Sequence, residues 1–322
     1  MHYNNKGIVL ISILLIVLLL SSVAVLFGNK YLLSLKRAQY MEFQTLSINI
    51  FRNIESLSKD KIKKEFEFNT AKLTKQNPIL NNDFILNIND AEVMSRISDA
   101  SSCFNINSLV SFNKDNYVEN EKSINAFRRL MYLAEIDNNV IEEAIDQIID
   151  WIDKDSNPRA YGLEDYYYSG PLHNPREYSA MRLMVSIDEL KSIPAVKQIN
   201  WDIFKQYFCA LPSASDLSFN INTLSIDDIY LISSIFPNIS LKDAEYIIDN
   251  IPEEGFDNFV TFEKAFPGLD FGSPYGNILY SSNIFEVTTT VKFDEYIANS
   301  ISKIIYENNK NGYIISRIYN GI

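Results

Sequence analysis

The sequence predicts an α+β fold: a long N-terminal helix and a small antiparallel sheet form one body, and a large all-helical domain is inserted into it. Three observations carry this. An unbroken apolar run, Ile8 to Phe27, leads directly into a helix-periodic segment. β-alternating stretches lie far apart in the chain, near residue 85 and after residue 284. Between them, from about residue 110 to 281, apolar residues recur at helical spacing over roughly 170 residues, an ordinary size for a domain.

About 20 apolar residues at ~1.5 Å rise per residue cover a ~30 Å hydrocarbon core, so the first run can cross a bilayer as a helix. It is too long for a secretory signal, and although Ser22-Val23-Ala24 offers a cleavage site, Val25, Leu26 and Phe27 continue the run past it. Cleavage on the near side, after Gly7, would instead leave the whole apolar helix on the mature chain. A short polar leader, Lys6, Gly7 and then a long apolar helix resembles the start of type IV pilin-like proteins. That resemblance implies processing between Gly7 and Ile8 by a prepilin peptidase, with Ile8 as the first, N-methylated, mature residue. Such proteins commonly carry Glu at the fifth mature position, which here is Ser12. Lys6 precedes the run while Lys30, Lys36 and Arg37 follow it, so the positive-inside rule leaves the orientation open. The pilin resemblance places the bulk of the chain in the periplasm, anchored by a single pass in the bacterial inner membrane.

Beyond the span (8–29), Phe43, Leu46, Ile50, Ile54 and Leu57 recur at three- and four-residue spacing and predict an amphipathic continuation over 30–62. Asn77, Pro78, Asn81 and Asn82 predict a loop, and Phe84 to Asn89 alternates as a half-buried strand does. In the middle of the chain, Ile141, Ala144, Ile145, Ile148, Ile149 and Ile152 form one helical face, with Glu142, Glu143, Asp146 and Asp150 largely off it. Ser186 and Glu189 fit a capping box, and Ile226–Phe236 and Leu241–Asn250 read as helices. Ile284 to Val291 is β-branched and alternating, and Tyr313 to Ile318 follows the turn signal Asn311-Gly312. The body is therefore assigned to 83–109 and 282–322, the insert to 110–281. Asn105-Ile106-Asn107-Ser108-Leu109 returns as Asn220-Ile221-Asn222-Thr223-Leu224, each before a helical stretch whose free N–H groups Asn can cap.

The chain has 322 residues, 47% of them hydrophobic, and a formal net charge of −12. That balance disfavours nucleic acid as a partner, since phosphate contact needs Lys and Arg, and favours cations. Residues 220–266 resemble a tandem of helix-hairpin-helix type, but Pro237-Asn238-Ile239-Ser240 lacks the Gly-rich turn. Lys242 and Lys264 face ten acidic residues over 220–270, so the unit reads as packing. With only His2, His173, Cys103 and Cys209, a zinc or redox centre cannot be assembled. The two cysteines either pair in an oxidising compartment or lie buried as free thiols. Catalysis is not expected: S-x-x-K occurs at Ser56–Lys59 and Ser300–Lys303, a pattern common by chance, and no G-x-S-x-G, P-loop or nucleophile-adjacent His accompanies it.

The strongest constellation runs from Asp150 to Asp165. With Asp153 as position 1, Asp155 is 3, Asn157 is 5, Arg159 is 7 and Glu164 is 12, the ligand spacing of an EF-hand loop. Calcium takes six to eight hard oxygen ligands, which alternate residues of a curved loop can supply, Arg159 through its backbone carbonyl. Asp165, beside Glu164, completes the candidate set. Pro158 stands at position 6, where an EF-hand has Gly, so the loop must turn differently.

These residues also carry a specific resemblance. Asp150-Trp151-Ile152-Asp153-Lys154-Asp155, Pro158-Arg159, Tyr161-Gly162-Leu163-Glu164-Asp165 and Tyr166-Tyr167-Tyr168 resemble the signature of the general secretion pathway protein K family, with Leu163 where Ala is usual. The repeated Asn-Ile-Asn segments resemble its Asn-rich segments, and the family likewise lacks Glu at the fifth mature position. The resemblance implies a type IV pilin-like body with an inserted helical domain that binds calcium. It implies a minor pseudopilin at the tip of the type II secretion pseudopilus, with I- and J-type minor pseudopilins and the inner-membrane secretion platform as partners. The alternative is a signal-anchored periplasmic calcium-binding protein with no pilus role.

Overall fold

The computed structural model describes residues 6–68, 72–88, 90–307 and 311–322. Helix α1 (Lys6–Phe68) is a single helix of 63 residues with no interior proline. Its first half is exposed and apolar, and among the described residues it is the one helix long and apolar enough to cross a membrane. Its second half buries Phe43, Ile50, Phe51, Ile54, Ile62 and Phe66. Leu57, expected on that face, is exposed. Glu55, Ser47 and Ser58 turn inward.

Asn77 and Pro78, read as a loop, start the short helix α2 (Pro78–Asn81). Asn77 accepts from the N–H of Ile79 at 2.9 Å, and proline at the first position lacks only an N–H that a helix leaves unbonded anyway. Strand β1 (Phe84–Ile88) is followed by β2 (Ala91–Asp99), a strand the sequence did not suggest. The chain then leaves the sheet. It passes β3 (Phe104–Asn105), β4 (Val110–Asn113), β5 (Asn116–Glu119), α3 (Glu121–Leu133), α4 (Asn138–Ile152) and α5 (Asp165–Tyr168). It continues through α6 (Pro194–Lys197), α7 (Trp201–Phe204), β6 (Phe208–Cys209), β7 (Ser218–Asn220), α8 (Ile229–Ile235), α9 (Leu241–Asp249), α10 (Phe259–Ala265) and β8 (Asn277–Leu279). It returns as β9 (Ile284–Phe293), β10 (Tyr296–Glu307) and β11 (Asn311–Asn320).

The body sheet is antiparallel in the order β1-β2-β9-β10-β11, so the insert enters after β2 and leaves before β9. Its inner face meets α1 in a core of Phe43, Phe51, Val93, Ile97, Phe285, Val287, Val291 and Ile304. A second core fills the insert. Phe104, Ile106 and Leu109, grouped with the body in the sequence reading, pack there instead. The helical insert also contains three two-stranded pairs, β3 with β6, β4 with β5 and β7 with β8.

The repeated Asn-Ile-Asn segments are a structural repeat. In each, a strand paired in parallel ends in a 3₁₀ turn capped by its first Asn, with Asn107 N–H donating to Asn105 Oδ1 at 3.3 Å and Asn222 N–H to Asn220 Oδ1 at 3.1 Å. The second Asn reaches across the domain. Asn107 Nδ2 donates to the carbonyls of Met184 and Leu211, Asn222 Nδ2 to those of Phe256 and Tyr280. A buried amide bonded on both ends fixes segments that no regular ladder joins. Cys103 and Cys209 form a disulfide with Cα atoms 5.9 Å apart, which settles the alternative left open above.

Candidate metal centre

Helix α4 aims the loop. Its apolar face, Ile141, Ala144, Ile145, Ile148, Ile149 and Ile152, is buried in the insert core, so its C-terminal turn is held rigidly. Asp153 is the C-cap, extended at φ −71° and ψ 172°, and its N–H still donates to Ile149 at 2.9 Å. Asp155 Oδ1 accepts from the N–H of Asn157 at 2.9 Å, an Asx turn that bends the chain before Pro158. Glu164 is the N-cap of α5 but makes no capping bond, and its carboxylate turns back toward the loop.

This geometry gathers Asp153, Asp155 and Glu164, with one oxygen of each lying within 4.8 Å of the others. Asp153 and Glu164 are buried, and Asp155 is the most open of the three. Asp153 Oδ1 and both oxygens of Glu164 have no hydrogen-bond partner. Burial first, and then the neighbouring carboxylates, push Glu164 up to about 8 and Asp153 up to about 7. Buried, unpaired and mutually repelling carboxylates are costly unless a cation joins them. The donors are all oxygen, which suits a hard divalent ion such as calcium. The residues present therefore fit calcium.

The remaining predicted residues are placed differently. The guanidinium of Arg159 leaves the cluster, with Nε donating to Asp146 Oδ1 at 2.9 Å and the other end pairing with Glu119, so it ties the loop to α4 and β5. Its carbonyl, the predicted donor at position 7, accepts from the N–H of Gly162 at 3.1 Å. Asn157 is exposed. Asp165 Oδ1 accepts from both N–H and Oγ of Ser179, at 2.7 and 2.8 Å, and so holds the chain that returns over the loop. Gly7 and Ile8 lie in the first turn of α1, far along the chain from this centre.

Asp150 is the residue the sequence reading misjudged. Expected largely off the apolar face of α4, it is fully buried with Oδ1 unpartnered, while Oδ2 accepts from Arg159 N–H at 3.1 Å. Burial pushes it up to about 6. The signal was present, since residues i and i+3 share a helix face and Asp150 is three before Asp153. Gly162 covers it so closely that a Cβ there would come within 1.8 Å of Asp150 Oδ2. Below, Trp151 meets Tyr168 edge-on, ring centroids 4.9 Å apart, and the buried Tyr168 hydroxyl is also unpartnered.

A membrane-length helix laid on an antiparallel sheet, with a helical insert between its second and third strands, defines a type IV pilin-like body of the large, inserted kind. Residues 102–213 match the family model for type II secretion system protein K, in agreement with the resemblance read from residues 150–168. Type II secretion system protein K of Aeromonas hydrophila is 30% identical over 202 residues, 58% of this chain and 60% of that protein. That of Pseudomonas aeruginosa is 30% identical over 207 residues, 63% of this chain and 58% of that protein. The chain thus spans less than two thirds of the length of these relatives. Among solved structures, the GspK-GspI-GspJ complex of enterotoxigenic Escherichia coli contains a chain of the same fold, TM-score 0.76 at 16% identity, over 88% of this chain and 99% of that one.

Proposed function

We propose that this protein is a minor pseudopilin of type II secretion, a structural, non-catalytic subunit at the tip of the pseudopilus. There it starts or caps assembly with I- and J-type minor pseudopilins on the inner-membrane platform. The observation that carries this reading is the combination in one chain of a match to the protein K family model with a membrane-length apolar run that follows Gly7. The complex named for the structural neighbour supports partners of the I and J type. Charge logic supports the tip. A Glu at the fifth mature position would neutralise the terminal amine of an adjoining subunit inside the membrane, where an unpaired charge is costly, and Ser12 cannot do so. A subunit without that Glu suits the end of a filament, and the insert obstructs stacking as a repeating unit.

In this reading a prepilin peptidase cuts after Gly7, Ile8 becomes N-methylated, and the body stands in the periplasm on a single inner-membrane helix. Calcium held by Asp153, Asp155 and Glu164 stabilises the insert by binding only its native loop. Mass spectrometry of the mature N-terminus tests the assignment. N-methylated Ile8 is the expected terminus, and Met1 or Val25 would replace it with the alternative, a signal-anchored calcium-binding protein.

A further inference from the structure

Cys103 and Cys209 stand at the two ends of one excursion of the chain, and the acidic loop at 153–164 lies near its middle. The family-matched segment, 102–213, begins one residue before the first cysteine and ends four after the second. Apart from the disulfide, the mouth of the excursion is closed by little backbone pairing. β3 and β6 share only the pairs Phe104 with Phe208 and Asn105 with Cys209, supplemented by the Asn105 and Asn107 side chains reaching Leu211, Ser213 and Met184. In its interior, Asp153 Oδ1 and both carboxylate oxygens of Glu164, buried without a hydrogen-bond partner, work against closure.

We propose that the Cys103–Cys209 bond and the cation in the acidic loop are two alternative locks on residues 103–209. Either one alone keeps the segment closed, and it opens only when both are lost. The two locks act on different states. The covalent bond limits the conformations of the opened segment, and the benefit grows with the length of chain it encloses, here a sequence separation of 106. The cation binds only the closed loop, where its oxygens converge. Their effects on the closed-to-open ratio therefore multiply, and each suffices against the same strain. In an oxidising compartment the bond would hold the insert closed before calcium arrives, and calcium would hold it closed through a reducing episode. The inference rests on the calcium reading of the loop.

The test uses the full chain in detergent, with calcium or with chelator, and with the disulfide intact or reduced by a phosphine. Trypsin reads opening at Arg128, Arg129 and Arg159, which are half-buried in the closed segment, and calorimetric titration with calcium alone reads binding. Three of the four conditions should resist cleavage, and the reduced, chelated chain should be cut within 103–209 at least about tenfold faster. The Cys103→Ser, Cys209→Ser double variant purified in calcium should behave as the reduced chain does. Rapid cleavage of the reduced chain in calcium, or persistent resistance when both locks are removed, overturns the proposal while leaving the calcium site intact. Absence of calcium binding overturns the site and the proposal together.

Discussion

Glu55 in the body and Glu164 in the insert are both buried glutamates, 3% and 2% exposed, yet their carboxylates meet opposite environments. Glu55 receives Ser302 Oγ at 2.5 Å and Arg317 Nε at 2.9 and 3.0 Å, so α1 is bonded through one side chain to β10 and β11. Glu164 receives nothing and faces Asp153 and Asp155. The difference separates two uses of a buried charge. A charge with its counter-ion in the same chain sets a register by itself, whereas a charge left without one is costly until a cation from solution joins it.

The largest expected effect breaks the paired side. Glu55→Ala should destabilise the body by about 3 kcal/mol, at the low end for a buried pair because Arg317 is partly solvated, and the loss should be the same with or without calcium. A loss confined to calcium-free buffer would remove the distinction between the two regions. Next comes the cation itself. Calcium at about 100 times its Kd should raise stability by about 2.7 kcal/mol, seen as a higher Tm, and Asp153→Ala with Asp155→Ala should abolish that rise. An unchanged rise would move the site elsewhere.

A smaller effect sharpens the unpaired side by its sign. Glu164→Gln keeps the shape and removes the charge, so in chelator it should stabilise the chain by about 1 kcal/mol while weakening the calcium response. Destabilisation in chelator would mean that the carboxylate already has a partner in the chain. The smallest effect is the pH dependence. Asp150, Asp153 and Glu164 are raised to about 6, 7 and 8, above the ordinary carboxylate range, so the folded state holds more protons than the unfolded state between about pH 4 and 8. Their contribution is greatest below that window and is lost as pH rises through it. The calcium-free Tm should therefore fall from pH 5 to pH 8, while calcium affinity rises over the same range because the ligands must be deprotonated. Scanning fluorimetry at three pH values, with and without calcium, reads both trends.

The two regions also differed in how far the sequence disclosed them. α4 and its loop were legible because the isoleucines recur at one spacing and Asp153, Asp155 and Glu164 are close in sequence. Strands β2 and β10 were not. Their inward-facing positions include Ser95 in one and Ser300 and Ser302 in the other, all buried, so hydrophobic alternation fades where the structure needs small hydroxyl residues. Ser95 and Ser300 are both register partners of Thr289, and Ser95 bonds to it at 3.0 Å, making a hydroxyl row on the inner face. Ser302 answers Glu55, and only the assembled sheet brings residues 55, 302 and 317 together. Asp150 was missed for a related reason: its burial is completed by Gly162, twelve residues on, folding over the end of α4.

The continuity of α1 has a mechanical consequence. The helix runs without proline from the membrane-length segment into the core of the body, and the thirteen residue steps from Phe27 to Tyr40, whose ring meets Tyr296 at 5.8 Å between centroids, form an exposed shaft of about 20 Å. Gly28, at the base of that shaft, is the one glycine of the helix beyond its first turn, and apart from the adjoining helix backbone nothing lies within 4 Å of where a Cβ would be. A push or twist applied to the apolar segment would thus reach the sheet as through a strut, with its most pliable point at the end of that segment rather than beneath the load.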